Sequence, residues 1–262
     1  AGCDRPDALV RVIDALRQAG ILVIASSGNS GASGCGSINL APATLTNTFV
    51  VGAIPAAGDV ARFSSRGPSP MGAAPKPDLV APGVDIPSAA LGNRNAYRAS
   101  SGTSMAAPHV AGVAALLLSA APDLRGNVAE IEAILRETAR PMPVAESCGS
   151  VRGDARPNNT SGYGAVDAVA AVAEAVPFDI RLGGADASGA RAVTLTNRTA
   201  RPRTGVAIIV RPEAGPAITL TVGTIGAAQS ETVSVPLAGA PAFDLEYQGL
   251  VSVRRASVSA RP

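Results

Sequence analysis

The chain has 262 residues, enough for one large domain and a smaller second one with a buried core. Apolar residues make up 47% of it but aromatic residues only 3%, so the core must consist mainly of Ala, Val, Leu and Ile. The formal net charge of +2 argues against a nucleic-acid partner, and the longest apolar run, residues 110–121, is too short to span a bilayer.

The first part of the chain alternates strand-like and helix-like patterns. Residues 6–19 carry apolar side chains at helical spacing and are followed by Gly20, which predicts an amphipathic helix. Continuous apolar runs at 21–26 and 48–54 predict buried strands of a parallel sheet, and the alternating run 59–65 predicts a third strand. Further helices are expected at about 103–120, 126–139 and 166–175.

From Phe178 onwards the pattern changes to short alternating segments separated by Gly, Pro and Asn. This pattern is typical of a small β-sandwich. We therefore predict an α/β domain with a parallel sheet over residues 1–176 and an all-β accessory domain over 177–262. The accessory domain has no cluster of aromatic or charged residues that would indicate a ligand.

The chain has three cysteines, Cys3, Cys35 and Cys148. In a secreted protein, an odd number indicates one disulfide and one thiol whose partner lies elsewhere. The alternative is a cytosolic protein with three buried, reduced thiols.

The stretch SGTSMAAPHVAG places Ser104 at the N-terminus of a predicted helix. The N–H groups and the positive dipole end at a helix N-terminus can hold a developing oxyanion, so Ser104 is a candidate nucleophile. The alternative is that Thr103 or Ser104 is an ordinary N-cap residue. An unrelated α/β acyl hydrolase is disfavoured, because Ala106 stands where the G-x-S-x-G elbow has its second glycine.

His109 is the only histidine in the chain. Five residues along one α-helix correspond to roughly 500° of rotation and about 7.5 Å of rise. His109 therefore points away from Ser104 and cannot take its proton while both lie on a regular helix. We expect His109 to be a packed, hydrogen-bonded core residue.

Five longer stretches, some of which contain the residues discussed above, form a common pattern. They read ILVIASSGNSG, ARFSSRGP, KPDLVAPGVDI, SGTSMAAPHVAGVAALLL and NNTSGYGAVDAVAAV, in this order along the chain. In order and approximate spacing they resemble the subtilisin-like serine peptidases, the subtilase family. The resemblance covers about residues 1–175 and implies the C-terminal portion of a three-layer α/β domain. The cysteine positions and the stretch PNNTSGYG resemble a cysteine-bearing branch related to the bacillopeptidases.

The resemblance implies that Ser104 is the nucleophile and that Asn29 donates its side-chain amide to the oxyanion hole, together with the backbone N–H of Ser104. The residue type fits, because a rigid amide in a glycine-flanked turn after a buried strand can point at the reacting carbonyl. Without the resemblance, Asn29 would be interpreted as a turn residue. The substrate-binding residues that the resemblance implies are Ser26, Ser27, Gly28, Gly102 and Thr103.

The family's catalytic triad also needs an aspartate in a D-[ST]-G motif and a histidine in an H-G-T motif, and the sequence contains neither. We therefore expect the chain to be the C-terminal part of a secreted endopeptidase that is inactive alone. Its expected partners are protein or peptide substrates and the missing upstream segment of its own peptidase domain. No signal peptide opens the sequence, so secretion is expected from the resemblance and the cysteines alone. The alternative is a non-catalytic, subtilase-like binding module.

The remaining expectations are weaker. A disulfide between Cys3 and Cys35 is expected because both should flank the substrate-binding strands, and Cys148 would then pair upstream. No metal site or other cofactor is expected: calcium is suggested by the resemblance only, and no acidic cluster has the spacing of a calcium loop. Asn158 and Asn197 match glycosylation motifs, which are frequent by chance.

Overall fold

A computed structural model of the chain describes residues 6–72, 74–199, 201–212, 216–237, 240 and 242–259. The chain divides into two compact units, the first formed by residues 1–116 and 126–171 and the second by residues 117–125 and 172–262. An α/β region with a parallel sheet precedes a strand-rich region, which confirms the predicted fold class. The domain boundary near residue 177 stays a prediction.

The first unit contains a parallel sheet of three strands and an antiparallel hairpin within the described residues. The sheet has the order β1-β2-β3, and the hairpin joins β4 and β5. The elements, of which α2 and α4 continue into the second unit, are α1 (Pro6–Gln18), β1 (Ile24–Ser26), β2 (Phe49–Ile54), β3 (Leu79–Pro82), β4 (Ile86–Ala89), β5 (Tyr97–Ser100), α2 (Thr103–Ala120), α3 (Val128–Glu137) and α4 (Ala168–Ala175).

The predicted strand at 59–65 is wrong, because this segment forms turns. It folds back on β2: the N–H of Ala61 donates to the carbonyl of Ala53, and the N–H of Ala53 donates to the buried hydroxyl of Ser64. The alternating sequence pattern is therefore not accompanied by pairing within the sheet, and burial along the segment does not alternate. The third strand of the sheet is β3, which the sequence patterns did not identify.

A buried cluster of charges fixes the start of β3 against β2. Lys76, the only lysine, is 3% exposed, and its ammonium group lies 2.6 Å from the carboxylate of Asp78. Asp78 also accepts hydrogen bonds from the N–H of Val50 and from Arg136 of α3. Because each charge in this cluster has a partner of opposite sign, burial does not leave an uncompensated ion.

The second unit carries two antiparallel sheets. Their orders are β10-β7-β6 and β12-β11-β8-β9. Side chains that alternate along the strands, among them Leu195, Ile208 and Phe243, form one shared apolar core. The strands are β6 (Phe178–Ala185), β7 (Ala190–Asn197), β8 (Arg203–Val210), β9 (Ile218–Ile225), β10 (Ser230–Pro236), β11 (Ala242–Gln248) and β12 (Val253–Ser259).

Helix α2 consists mainly of apolar residues. Among the described helices it alone has the length and composition that could cross a membrane, a test that core helices of soluble proteins also meet. Ala106, Val110, Val113 and Ala114 form its buried stripe, at the spacing of one helix face.

Candidate active site

The N-terminus of α2 presents Ser104 at the surface of the first unit. The helix begins at Thr103, as predicted, and the side chain of Ser104 is exposed. The segment before the helix lies close to Gly83, whose carbonyl accepts from the N–H of Gly102 at 2.8 Å. A Cβ atom on Gly83 would lie 2.8 Å from the Cβ of Ala53 and 2.9 Å from the carbonyl oxygen of Gly102, so only glycine permits this approach.

Asn29 lies in the loop that follows β1. The preceding Gly28 has φ of 100°, a backbone conformation that favours glycine, and a Cβ atom there would lie 2.9 Å from the hydroxyl oxygen of Ser65. Ser65 fixes this loop from both sides, because its N–H donates to the Gly28 carbonyl and its hydroxyl accepts from the N–H of Ser30. The loop is therefore held in a defined conformation on either side of Asn29.

Thr103 connects this loop to helix α2. The side-chain oxygen of Asn29 accepts from both the N–H and the hydroxyl of Thr103, each at 2.9 Å. The Thr103 hydroxyl in turn accepts from the N–H of Gly28 at 3.2 Å. Because the backbone donor identifies the Asn29 oxygen, the orientation of the amide follows from the geometry.

Two N–H donors are left beside Ser104 by this arrangement. The Asn29 amide nitrogen lies close to Gly102. A Cβ atom added to Gly102 would be 3.3 Å from this nitrogen. The N–H of Met105 donates to the Gly102 carbonyl, while that of Thr103 is used by Asn29. Within the described part of the chain, neither the Asn29 amide nitrogen nor the N–H of Ser104 has a hydrogen-bond partner.

His109 lies on the same uninterrupted helix as Ser104. Its Nδ1 is 2.8 Å from the carbonyl oxygen of Met105, one turn earlier. The expected hydrogen bond is therefore confirmed, but the expected burial is wrong, since His109 is exposed. The reason is its position on the helix, because the buried stripe of α2 runs along another face.

The predicted substrate-binding residues surround this loop. Ser26 ends β1, which lies at an edge of the described three-stranded sheet, and Ser27 is 3% exposed. The hydroxyl of Ser27 has no partner among the described residues. Gly28 is partly exposed, and Gly102 and Thr103 are buried. The side chain of Thr103 contacts Asn29 and Gly28. The substrate-binding role of these residues stays a prediction.

The disulfide joins Cys35 to Cys148, with their Cα atoms 5.3 Å apart. The expected Cys3–Cys35 bridge is therefore wrong, and Cys3 lies outside the described residues. The physical reason is that the loop containing Cys148 packs beside the Gly-rich loop. Asn159 and Gly67 link them: the side-chain amide of Asn159 donates to the Cys148 carbonyl, the Asn159 carbonyl accepts from the N–H of Gly67, and the Gly67 carbonyl accepts from the N–H of Gly36, next to Cys35.

Cys35 and Cys148 also have an acidic neighbour. One group of three potential ligands is close together, namely Cys35, Glu146 and Cys148. The two sulfur atoms are bonded to each other, so they are not thiolates and do not serve as metal ligands. Whether the protein binds calcium stays a prediction of the resemblance.

The two glycosylation motifs are occupied by structural contacts. Asn158 is 2% exposed, and its amide donates to the carbonyl of Ala155. Asn197 is fully buried and donates to the carbonyls of Arg201 and Ile225. Neither amide is accessible for modification in the folded chain.

Sequence reasoning missed the residues that fix the backbone of the loop around Asn29. Ser65 and Arg66 lie in the ARFSSRGP stretch, and the guanidinium of Arg66 donates to the carbonyls of Gly31 and Ser64. The resemblance identified this stretch but no individual role within it. Loop contacts between distant segments leave no periodic signal in a sequence, so these roles required coordinates.

Comparison with known proteins identifies what this arrangement resembles. A sequence profile described as the subtilase family matches residues 2–164. The chain is 45% identical over 115 residues to subtilisin of Bacillus pumilus, covering 44% of this chain and 38% of that protein. It is 41% identical over 139 residues to a thermophilic serine proteinase of Bacillus sp. (strain AK1), covering 53% and 30% respectively.

One solved structure that matches is that of the patellamide maturation protease PatA. The TM-score is 0.49 at 28% identity, covering 64% of this chain and 56% of that one. The chain spans less than two fifths of the length of either of the two curated relatives above.

Proposed function

The chain belongs to the subtilase family, and on this premise we propose that it supplies the nucleophile and the oxyanion hole of a subtilisin-like serine endopeptidase. The substrate would be a protein or peptide, cleaved through an acyl-enzyme on Ser104. The observation that carries the proposal is the pair of unpartnered donors, the Asn29 amide and the Ser104 N–H, beside an exposed serine hydroxyl.

These donors suit the transition state of acyl transfer. When the Ser104 hydroxyl oxygen attacks the scissile carbonyl carbon, the carbonyl π electrons move to its oxygen, which becomes negatively charged. Donors that are already oriented stabilise that charge without reorganisation at the moment of reaction. Thr103 supports this role, because it holds the Asn29 oxygen and turns the NH₂ group towards Gly102.

The Ser104 proton needs an acceptor that this chain does not contain. His109 is the only histidine, and its Nδ1 contacts the helix carbonyl of Met105. We propose that a histidine imidazole from a segment outside this chain takes the proton and then gives it to the leaving amine. Water would hydrolyse the resulting ester and restore Ser104.

The compartment and the cofactors belong to the same proposal. Secretion is supported by the Cys35–Cys148 disulfide, since such bonds persist mainly in oxidising environments. The proposed steps use backbone and side-chain donors alone, and no metal ion takes part in them. Peptide mapping of the protein exported by its native host would test the compartment, and a purely cytosolic protein would contradict it.

The catalytic proposal is tested with a fluorophosphonate probe, which reacts with an activated serine. The chain alone should show no fast labelling, because an unassisted hydroxyl stays protonated near neutrality. The same chain joined to the polypeptide encoded immediately upstream should be labelled stoichiometrically at Ser104. Ser104→Ala should abolish this labelling, whereas Ser119→Ala, which changes another exposed serine of α2, should leave it intact.

Two outcomes contradict the proposal. Fast, stoichiometric labelling of Ser104 in the chain alone would show that no external base is needed. An upstream coding sequence without D-[ST]-G and H-G-T motifs in frame, together with no labelling of the longer chain, would favour a non-catalytic binding module instead.

A further inference from the structure

The second unit contains a pocket of about 610 Å³ that the proposed peptidase chemistry does not use. All of its lining residues belong to this one unit, and they come from the segments at 120–123 and 175–180 and from strands β11 and β12. The volume falls within the range of roughly 300–1,000 Å³ that is usual for small-molecule sites.

Most of the wall is apolar. Phe178, Ile180, Leu245 and Val258 line it, and Ala256 of β12 lies opposite Leu245 in the sheet register. Phe178 also packs edge-on against Tyr247, with ring centroids 5.3 Å apart, which fixes the aromatic part of the wall. Binding of an apolar ligand would therefore bury apolar surface of both the ligand and the pocket wall, which favours binding.

One corner of the pocket is polar, and its charge is balanced. Arg254 is 4% exposed, and its guanidinium donates to the Asp123 carboxylate and to the carbonyl of Ala175 and lies 5.3 Å from the ring centre of Tyr247. A guanidinium has more N–H donors than these contacts use, so it can also meet a ligand acceptor. A ligand carboxylate would face Asp123 and a ligand ammonium would face Arg254, so each charged head group is disfavoured at this corner.

We propose that this pocket binds an uncharged, mainly apolar small molecule with a single oxygen acceptor at one end. The aliphatic part would lie against Phe178, Leu245 and Ala256, and the oxygen would accept from Arg254. The Arg254–Asp123 pair selects the neutral head group, and the apolar wall selects the tail.

The test is calorimetric titration of the full chain with three probes that share a decyl tail. Decanol should bind saturably at one site, and decanoate and decylammonium should bind about tenfold or more weakly, because their charges are desolvated at the Arg254–Asp123 corner. Ala256→Trp should weaken decanol binding by about tenfold or more, since the indole occupies the pocket. Ala207→Trp is the matched control, because Ala207 pairs with Glu246 on the other face of the same sheet and should leave binding unchanged.

Methyl NMR of the unsubstituted chain keeps the test decisive if Ala256→Trp does not fold. Decanol should then shift the methyl signals of Ala256 and Leu245 and leave that of Ile134, in the first unit, in place. The proposal is overturned by unsaturable decanol binding, by a charged probe that binds as tightly as decanol, or by Ala256→Trp binding decanol as the unsubstituted chain does.

Discussion

Replacing both Cys35 and Cys148 by alanine should lower the stability of the first unit substantially. The bond closes a segment with a sequence separation of 113 residues. In the chain-entropy model, closing a loop of this length lowers the conformational entropy of the unfolded state and so raises its free energy by about 4.8 kcal/mol at 25 °C. The measured contribution of native disulfides to the free energy of unfolding is usually about 2–5 kcal/mol. We therefore expect the double variant to lose about 3–5 kcal/mol of unfolding free energy.

The assay must separate the two units, because they need not unfold together. Urea unfolding followed by hydrogen–deuterium exchange of peptides from the first unit does so. The loss should be largest in peptides around Cys35 and around Cys148, which the bond joins.

The same protein preparation tests the pairing directly. Under denaturing, non-reducing conditions one thiol should react, and it should map to Cys3. Three reactive thiols, or a cross-linked peptide that joins Cys3 to Cys35, would refute the pairing. A double variant as stable as the parent would refute the energetic reasoning even if the bond is present.

Three further predictions concern single side chains. Thr103→Val removes a buried hydroxyl with two hydrogen bonds and should cost about 1–3 kcal/mol in urea unfolding; an unchanged midpoint would contradict its role. Asp78→Ala leaves the ammonium of Lys76 buried without its partner and should cost about 3–5 kcal/mol, and a loss no larger than that of an average surface variant would count against the cluster. The pKa of Asp186 should lie below its ordinary value, because the Ser188 hydroxyl and nearby N–H groups donate to the carboxylate. Its contribution to stability is then present above the ordinary aspartate range and lost as pH falls through the lowered pKa; carboxyl NMR that shows an ordinary or raised pKa would contradict this.

The elements with a strong repeating pattern were predictable from the sequence. The buried run of β2, the three later helices and the change to alternating strands after Phe178 all appear in the structure. The buried strand predicted at 21–26 is only partly correct, because β1 covers Ile24–Ser26 alone, lies at the edge of the described sheet and is half-buried, and Ile21 is exposed. These patterns arise because one face of each element must be buried, and burial leaves a period in the sequence. The placement of Ser104 at a helix N-terminus followed from the same reasoning.

The expectations that failed concern contacts between distant segments. The run 59–65 folds back on β2 through turns, and a short alternating pattern does not distinguish this from a strand. The disulfide depends on which loops meet in space, and a cysteine count leaves every pairing open. His109 was expected to be a packed core residue because it points away from Ser104 on the helix, but the buried stripe of α2 is the one that contains Val110, and His109 is exposed.

The proposed oxyanion donors and the base that would activate Ser104 are independent of each other. Every contact that orients its amide comes from Thr103 or from the loop fixed by Ser65, so the two proposed oxyanion donors depend on this chain alone. Ser104, in contrast, presents an exposed hydroxyl, and a base can approach it without rearrangement of that network. Under the proposed function, absence of the base therefore removes activation of the nucleophile but leaves the electrostatic part of the site in place. Activation of Ser104 could then be lost while the oxyanion donors keep their geometry, because the two depend on different segments of the polypeptide.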